Sequence, residues 1–262
     1  MDSHGPETWY IRLPRFTRAF ITIVLGLTLL VLFKGVQPST LSLNWPLVLQ
    51  KLQVWRVFTN VLFVGKFSLR WVFFVMLFSQ FSASLEKNAV FAGSPGSYLY
   101  FLVIQTVTLS SVSAAFFWPS GYPYLADALL FSIIYYWSKR DMFSVVTIYF
   151  VTVKGYQLPF AMMFLHLVMG SSLWVDLMGM ISGHIYYLLR EVLPSKGENA
   201  CYKNYLARTP KVFDYIANQL DRLYARFLPA SGATTGSFQY RPRATETRNH
   251  GFIGRGIRLG HS

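Results

Sequence analysis

The chain carries little charge for its length. Lys, Arg, Asp and Glu make up 13% of its 262 residues, whereas a soluble globular domain carries about 25%. Hydrophobic residues account for 53% and aromatic residues for 18%. This composition argues against an ordinary soluble domain and favours a membrane protein.

Cysteine and the usual metal-binding patterns are also scarce. Cys201 is the only cysteine in the sequence, so an internal disulfide is excluded. The sequence contains no Asn-x-Ser/Thr sequon and therefore gives no glycosylation mark for a lumenal loop. No group of His, Cys, Asp and Glu has the spacing of metal ligands. We therefore expect no metal and no cofactor.

Acidic residues are few, with 11 Asp and Glu against 24 Lys and Arg and a net charge of +13. Such an excess of positive charge also occurs in nucleic-acid-binding proteins. Here the positive residues lie mostly between apolar runs and in the C-terminal region 190–262. This placement suits membrane topology and an anionic membrane surface better than a nucleic-acid interface, so no nucleic-acid partner is expected.

The chain has six apolar runs long enough to be considered membrane spans. A spanning helix needs roughly 20 apolar residues, or somewhat fewer in a thin bilayer. The six runs are 19–33, 71–85, 98–118, 122–138, 156–172 and 173–189. A further apolar segment, 142–153, is short. It is either a partly embedded lead-in to the fifth span or a strand-like loop.

Positive residues predict the orientation of these spans. Six spans place both termini on one side of the membrane, and cytosolic flanks are rich in Lys and Arg. Such residues precede the first span, follow the fourth span and recur after the sixth, namely Arg12, Arg15, Arg18, Lys139, Arg140 and Arg190. Both termini are therefore predicted to be cytosolic. The lumenal loop 34–70 is long, basic and rich in Trp, Phe and Leu, which favours an embedded structural element over a free linker.

The region after the last span divides into a helix, a linker and a tail. Residues 207–228 have helical periodicity, with Thr209 as a fair N-cap and Pro210 suited to the first helical position. The apolar stripe of this helix consists of Val212, Ile216, Leu220, Leu223 and Phe227. The helix either lies on the membrane surface or packs on the bundle. The expected organisation is a cytosolic segment 1–18, a membrane domain 19–192, an amphipathic segment 193–228, a flexible linker 229–248 and a tail 249–262.

The tail NHGFIGRGIRLGHS cannot form a core of its own, yet it carries three apolar residues. A disordered segment of this kind can add a strand to the sheet edge of a partner. In that arrangement Phe252 and Leu259 are anchors, and Gly254 and Gly256 let the backbones approach closely. The basic residues Arg255 and Arg258 then face an acidic rim. The alternative is a Gly/Arg tail without a specific partner.

The tail has the pattern of a known docking motif. It resembles the SHP box that docks on the N-domain of the valosin-containing AAA+ segregase. The matching positions are Phe252, Gly254, Arg255, Gly256, Arg258, Leu259 and Gly260. Its position after a six-span domain is similar to that in the Derlin family, the rhomboid-like pseudoproteases of endoplasmic-reticulum-associated degradation.

Two upstream segments also resemble the Derlins. One is QVWRVFTNVLFVG in the first lumenal loop, with Trp55 and Arg56. The other is VDLMGMISGHIYYLLREVLP in the last span, where Gly179-x-x-x-Gly183 is followed by His184. The resemblance implies an all-α membrane protein with a six-transmembrane-helix rhomboid-like fold, cytosolic N- and C-termini and a flexible C-terminal tail. It also implies that Trp55 and Arg56 order the loop, and that the glycines and His184 pack helix six against helix four.

The resemblance further implies a role and partners. A Derlin of the endoplasmic reticulum membrane assists retrotranslocation of misfolded proteins to the cytosol. The expected partners are the AAA+ segregase, a membrane ubiquitin ligase complex, misfolded client proteins, the lipid bilayer and other Derlins in a homo- or hetero-oligomer. The ubiquitin ligase complex is expected from the resemblance and not from any residue of this sequence.

Catalysis is not expected, although an active intramembrane protease remains the alternative. Rhomboid proteases use a Ser in a Gly-x-Ser-Gly setting on helix four and a His on helix six. The central serine of the fourth span is Ser132, which lies between Phe131 and Ile133 without a flanking glycine. A channel or transporter is a third, less favoured class, since no internal repeat is evident. The ionisable residues of the spans, Asp127, His166 and Asp176, are candidates for lining a hydrophilic cavity.

Overall fold

The structure, a computed structural model, describes residues 6–148, 151–168, 170, 172–193 and 209–227. Within these residues the protein is mainly helical, with one small sheet. Cys201, the linker 229–248 and the tail 249–262 lie outside the described residues.

The helices and strands follow one another in a simple order. They are α1 (Pro6–Arg12), α2 (Arg15–Leu32), α3 (Pro38–Leu41), α4 (Trp45–Gln50), α5 (Trp55–Leu62), α6 (Leu69–Glu86), α7 (Ser97–Phe116), α8 (Ala126–Arg140), β1 (Val145–Ile148), β2 (Val151–Lys154), α9 (Leu158–Val168), α10 (Leu173–Tyr187) and α11 (Lys211–Phe227). A 3₁₀ turn (Gly155–Gln157) precedes α9, and a π-helix (Leu188–Val192) extends α10.

Each of the six apolar runs coincides with one long or medium helix: α2, α6, α7, α8, α9 and α10. Two of the described helices, α2 and α7, are long and apolar enough to cross a membrane by length and composition. The six-span arrangement and the cytosolic termini therefore stay predictions. One boundary differs from expectation, because α2 begins at Arg15 and so contains Arg15 and Arg18. The predicted N-terminal segment 1–18 also includes a short helix, α1.

Two of these helices are short for a bilayer. Helix α8 has 15 residues and α9 has 11. At 1.5 Å per residue these lengths correspond to about 22 Å and about 16 Å. The hydrocarbon core of a typical bilayer is about 30 Å thick. Helices of these lengths match a locally thin membrane better than an average one.

The loop 34–70 folds into three short helices, α3, α4 and α5. Side chains at the ends of loop segments cap the helices that follow. The Asn44 side chain accepts a hydrogen bond from the Leu47 backbone N–H at the start of α4. The Ser68 side chain likewise accepts one from the Trp71 backbone N–H at the start of α6. These caps satisfy backbone donors that have no partner within the helix.

A β-hairpin between α8 and α9 departs from the all-α prediction. Strands β1 and β2 pair antiparallel, with Val145 opposite Lys154 and Ile148 opposite Val151. The exposure of side chains alternates along β1. The segment is also rich in β-branched Val, Thr and Ile, which favour strands over helices. The strand-like interpretation of 142–153 is therefore the correct one.

Helix α8 is the centre of the bundle. Every residue from Ala128 to Ser138 on this helix is buried. Aromatic side chains from α7, α8 and α10 pack beside it. The ring of Phe101 on α7 lies 5.4 Å from Tyr136 on α8 and 4.8 Å from Tyr186 on α10, measured between centroids. Such edge and tilted contacts are the arrangements that aromatic pairs prefer.

Helix α11 packs on the bundle and also keeps apolar surface exposed. The Gly96 backbone N–H donates to Asp214 Oδ1 at 2.9 Å, and the rings of Tyr100 and Phe213 lie 5.1 Å apart. Ala217 is fully buried. Much of the predicted stripe faces outward, since Val212, Ile216 and Leu223 are 65%, 44% and 48% exposed. The helix therefore packs on the bundle through a face offset from the predicted stripe, and its contact with a membrane surface stays a prediction.

Gly96 should control this docking. A Cβ built on Gly96 comes within 2.4 Å of the Phe213 carbonyl carbon, which is closer than real contacts allow. We expect Gly96→Ala to displace α11 and to raise the hydrogen exchange of 211–227 while the other helices keep their protection. Gly93→Ala is the matched control, because its Cβ meets nothing within 4 Å. Equal exchange in the two variants would contradict this account of docking.

Candidate functional site

Two glycines bring α10 against α8. A Cβ on Gly179 comes within 2.5 Å of the Ala128 carbonyl oxygen, and one on Gly183 within 2.9 Å of the Ser132 carbonyl oxygen. Glycines spaced four residues apart lie on one face of a helix and allow such close approach of two backbones. The geometry places both glycines at the contact between the fourth and sixth predicted spans.

The side chains of Ser132 and His184 lie at this contact but do not bond to each other. The Ser132 hydroxyl donates to the Leu129 carbonyl oxygen on its own helix at 2.7 Å and is fully buried. His184 Nδ1 lies 2.8 Å from the Tyr135 hydroxyl, which also comes from α8. Each polar group is therefore satisfied by a different partner.

This geometry does not suit nucleophilic catalysis. A serine nucleophile needs a base within hydrogen-bond reach and donors that face the developing oxyanion. Here His184 is hydrogen-bonded to Tyr135, and the Ser132 hydroxyl donates to a carbonyl oxygen of its own helix. The arrangement instead joins α8 and α10 through a partly buried hydrogen bond beside the glycine contact.

Trp55 and Arg56 differ in their surroundings. Arg56 is 6% exposed, and its guanidinium donates to the Ser39 and Ser42 carbonyl oxygens at 2.7 and 2.8 Å and to Gln53 Oε1 at 2.7 Å. Trp55 is 54% exposed. Arg56 thus ties α5 to the α3 segment, whereas the indole of Trp55 faces outward, as amphipathic rings do at membrane interfaces.

Ionisable residues gather where α6, α8, α9 and α10 meet. His166 Nδ1 lies 2.7 Å from Asp176 Oδ1, linking α9 to α10. Asp127 at the start of α8 pairs with Arg70 at the start of α6. Asp176 is 1% exposed, and its Oδ2 is buried without a hydrogen-bond partner among the described atoms. Among the described residues no three His, Cys, Asp or Glu side chains form a group that could hold a metal ion.

The bundle interior also contains polar groups that the sequence patterns did not single out. Ser182 on α10 donates to Gln105 Oε1 on α7 at 2.5 Å, and both side chains are fully buried. Gln105 Nε2, Ser110 Oγ and both amide atoms of Asn60 are buried without a partner among the described atoms. Buried polar groups are costly unless they are hydrogen-bonded. These groups place unpaired polar atoms inside an otherwise apolar bundle.

Glu86 holds the start of α2. Its carboxylate accepts hydrogen bonds from the backbone N–H groups of Phe16 and Thr17 at 3.1 and 2.9 Å and from the Thr17 hydroxyl at 2.8 Å. Helix α2 follows Pro14, which provides no side-chain cap, so Glu86 supplies the missing acceptor from α6. Sequence patterns did not point to this residue, although it is the one acidic side chain next to the second apolar run.

The segregase-binding residues predicted in the tail, Phe252 through Gly260, lie outside the described residues. Docking of these residues on a partner is therefore a proposal. The same holds for the linker that precedes them.

Comparisons with known proteins agree on one family. The family described as "Der1-like family" matches residues 13–210. "Derlin-1" of Arabidopsis thaliana is 34% identical over 209 residues, covering 79% of this chain and 75% of the relative. "Derlin-1" of Oryza sativa subsp. japonica is 30% identical over 256 residues, covering 97% of this chain and 98% of the relative. "Derlin-2.1" of Zea mays is 31% identical over 199 residues, covering 72% and 78%.

Adding a methyl group at the glycine contact should destabilise the bundle. We expect Gly179→Ala to lower the free energy of unfolding by about 1–3 kcal/mol, as overpacking of a tight core usually does. Gly26→Ala on α2 is the control, since its Cβ meets nothing within 4 Å. Thermal or denaturant unfolding of the purified protein in one detergent measures both. A Gly179→Ala variant as stable as Gly26→Ala would refute the close approach.

Proposed function

This chain belongs to the Der1-like family, and from that premise we propose that it is a non-catalytic Derlin of the endoplasmic reticulum membrane. In this proposal it assists retrotranslocation of misfolded lumenal or membrane proteins to the cytosol for degradation. Both termini are cytosolic, and the six apolar helices α2, α6, α7, α8, α9 and α10 span the bilayer.

One observation carries the non-catalytic part of the proposal. The hydroxyl of Ser132 is bonded to the Leu129 carbonyl oxygen, and His184 is bonded to Tyr135. The two residues that would correspond to a serine nucleophile and its base thus serve the packing of α8 against α10. A pseudoprotease can keep the rhomboid-like contact between these helices without keeping the reaction.

Short helices and a polar interior support a role in handling clients. Helices of about 16 to 22 Å cannot match an average bilayer without thinning it locally. Polar backbone is costly in hydrocarbon because its hydrogen-bonding groups find no partner there. A thinned bilayer next to the buried amides of Asn60 and Gln105 lowers that cost for a client segment. In this proposal Trp55 lies at the edge of the thinned region.

The pulling force in this proposal comes from a partner. The tail 249–262 docks on the N-domain of the valosin-containing AAA+ segregase, with Phe252 and Leu259 as anchors. A hexameric partner that meets several Derlins gains by effective concentration, even when each short motif binds weakly. A membrane ubiquitin ligase complex marks the client, and other Derlins complete the assembly.

Loss of the tail should uncouple the membrane domain from the motor. In cells depleted of the endogenous protein, we expect the full chain to restore turnover of a misfolded reporter of the endoplasmic reticulum. A chain with Phe252→Ala and Leu259→Ala should fail to restore it and should lose the co-captured ATPase. The matched control is Ile253→Ala with Ile257→Ala, since these residues occupy the variable positions of the motif. Equal turnover and equal ATPase capture in both double variants would refute the docking.

Removal of the Ser132 hydroxyl should leave turnover of the reporter unchanged. We expect Ser132→Ala to restore degradation of the reporter as well as the unaltered chain does, because the Ser132 hydroxyl bonds only within α8. Expression level and detergent extraction monitor folding of the variant. A correctly folded Ser132→Ala protein that fails to restore turnover would contradict the non-catalytic proposal.

A further inference from the structure

Two neighbouring cavities lie between α2 and α7 where α11 crosses them. One is a polar cavity of about 640 Å³, lined by residues that include Arg15, Arg18, Glu86, Lys87 and Tyr98. The other is an apolar groove of about 270 Å³, lined by residues of α2, α5, α7, α8 and α11. The only polar side chain of the groove lining is Thr106, whose hydroxyl donates to the Leu102 carbonyl oxygen.

The two cavities are continuous along three elements. Phe16 on α2 lines both of them. On α7, Tyr98 lines the polar cavity and Leu99 lines the groove, and on α11 Asp221 lines the polar cavity and Leu220 lines the groove. A charged chamber thus opens directly beside an apolar slot that runs toward the middle of the predicted membrane domain.

The charges of the polar cavity favour an anion. Arg15 pairs with Asp221, and the Glu86 carboxylate accepts the backbone N–H groups at the start of α2. Both carboxylates are therefore engaged. Arg18 and Lys87 are the other charged side chains that line the cavity. Neither forms an ion pair within the described part of the chain.

Arg18 is held in place for such an interaction. Its guanidinium lies 4.8 Å from the centroid of the Tyr224 ring and 5.9 Å from that of the Tyr10 ring. One terminal nitrogen donates to the Leu13 carbonyl oxygen at 2.9 Å. The Nε atom is buried without an acceptor among the described atoms. A positioned guanidinium that lines the cavity and forms no ion pair within the described residues is suited to a phosphate oxygen.

The size of the groove indicates what enters it. An α-helix is at least 10 Å wide, so 270 Å³ corresponds to about 3 Å of helix length, less than one turn. A client helix therefore does not fit without opening the bundle. A single hydrocarbon chain is narrow, flexible and apolar. Lipid hydrocarbon chains are also the solvent that surrounds a membrane domain.

We propose that the two cavities together bind one anionic glycerophospholipid, with its phosphate against Arg18 and Lys87 and part of one acyl chain in the groove between α2 and α7. The bound lipid fastens α11 to the bundle, because Ile216 and Leu220 of α11 cover the chain. This site lies apart from the contact of α8 with α10, and it does not depend on the proposed role in degradation.

Native mass spectrometry of the purified full chain in detergent tests the proposal. The probes are dioleoyl phosphatidic acid, dioleoyl phosphatidylcholine, glycerol phosphate and inorganic phosphate. We expect one tightly retained phosphatidic acid, much weaker retention of phosphatidylcholine and no competition by the two soluble phosphates at equal concentration. Arg18→Gln combined with Lys87→Gln should weaken binding by about tenfold or more, since two contacts to one phosphate are lost.

A second variant tests the groove without changing charge. Ala19 lines the groove on α2, so Ala19→Phe should exclude the chain and abolish tight retention. Ala115→Phe on the exposed part of α7 and Lys66→Gln in the first loop are the matched controls and should retain the lipid. Equal retention of both lipids by the wild type, full competition by inorganic phosphate, or unchanged binding in folded Ala19→Phe would each overturn the proposal.

Discussion

The close contact of α8 with α10 is the constraint on which the rest of the bundle depends. Without a Cβ at Gly179 and Gly183, the α10 backbone approaches the Ala128 and Ser132 carbonyl oxygens of α8 to van der Waals distance. This approach buries α8 along its length and leaves the Tyr135–His184 hydrogen bond as the polar link between the helices. The other helices pack around this pair, and α9 is joined to it through His166 and Asp176.

The polar interior follows from the same contact. Side chains of α7 and α10 meet across the bundle at Gln105 and Ser182, while Asn60 and Asp176 keep buried polar atoms without partners among the described atoms. A soluble protein would lose stability through such groups. In a membrane domain, ionisable and polar residues of this kind mark pathways for polar material. Together with short helices, they are the features on which the proposed handling of polypeptide segments rests.

Local patterns predicted much of the fold. Hydrophobic runs predicted the positions of the six main helices, and Gly179-x-x-x-Gly183 predicted the helix contact that the structure contains. The β-hairpin was not settled, since a short apolar segment of β-branched residues suits either state. The face through which α11 docks is offset from the predicted apolar stripe. Periodicity identifies such a stripe but not which part of it meets the bundle.

Contacts between distant residues could not be predicted from patterns. The capping of α2 by Glu86 joins residues about 70 positions apart in the sequence. No local sequence pattern predicts such a contact. The same is true of Tyr135 with His184 and of the charged chamber around Arg18. Residues 249–262 present the opposite case, in which a motif is recognisable but its partner lies outside the chain.

The central claim is that the α8–α10 contact serves packing and not catalysis. Its most direct test is incubation of the purified full chain in proteoliposomes with a serine-reactive fluorophosphonate and, separately, with a model transmembrane substrate. The account predicts no covalent adduct at Ser132 and no cleavage of the substrate, because the Ser132 hydroxyl and His184 are bonded to other partners. An adduct at Ser132 accompanied by substrate cleavage, with both lost in His184→Ala, would contradict it.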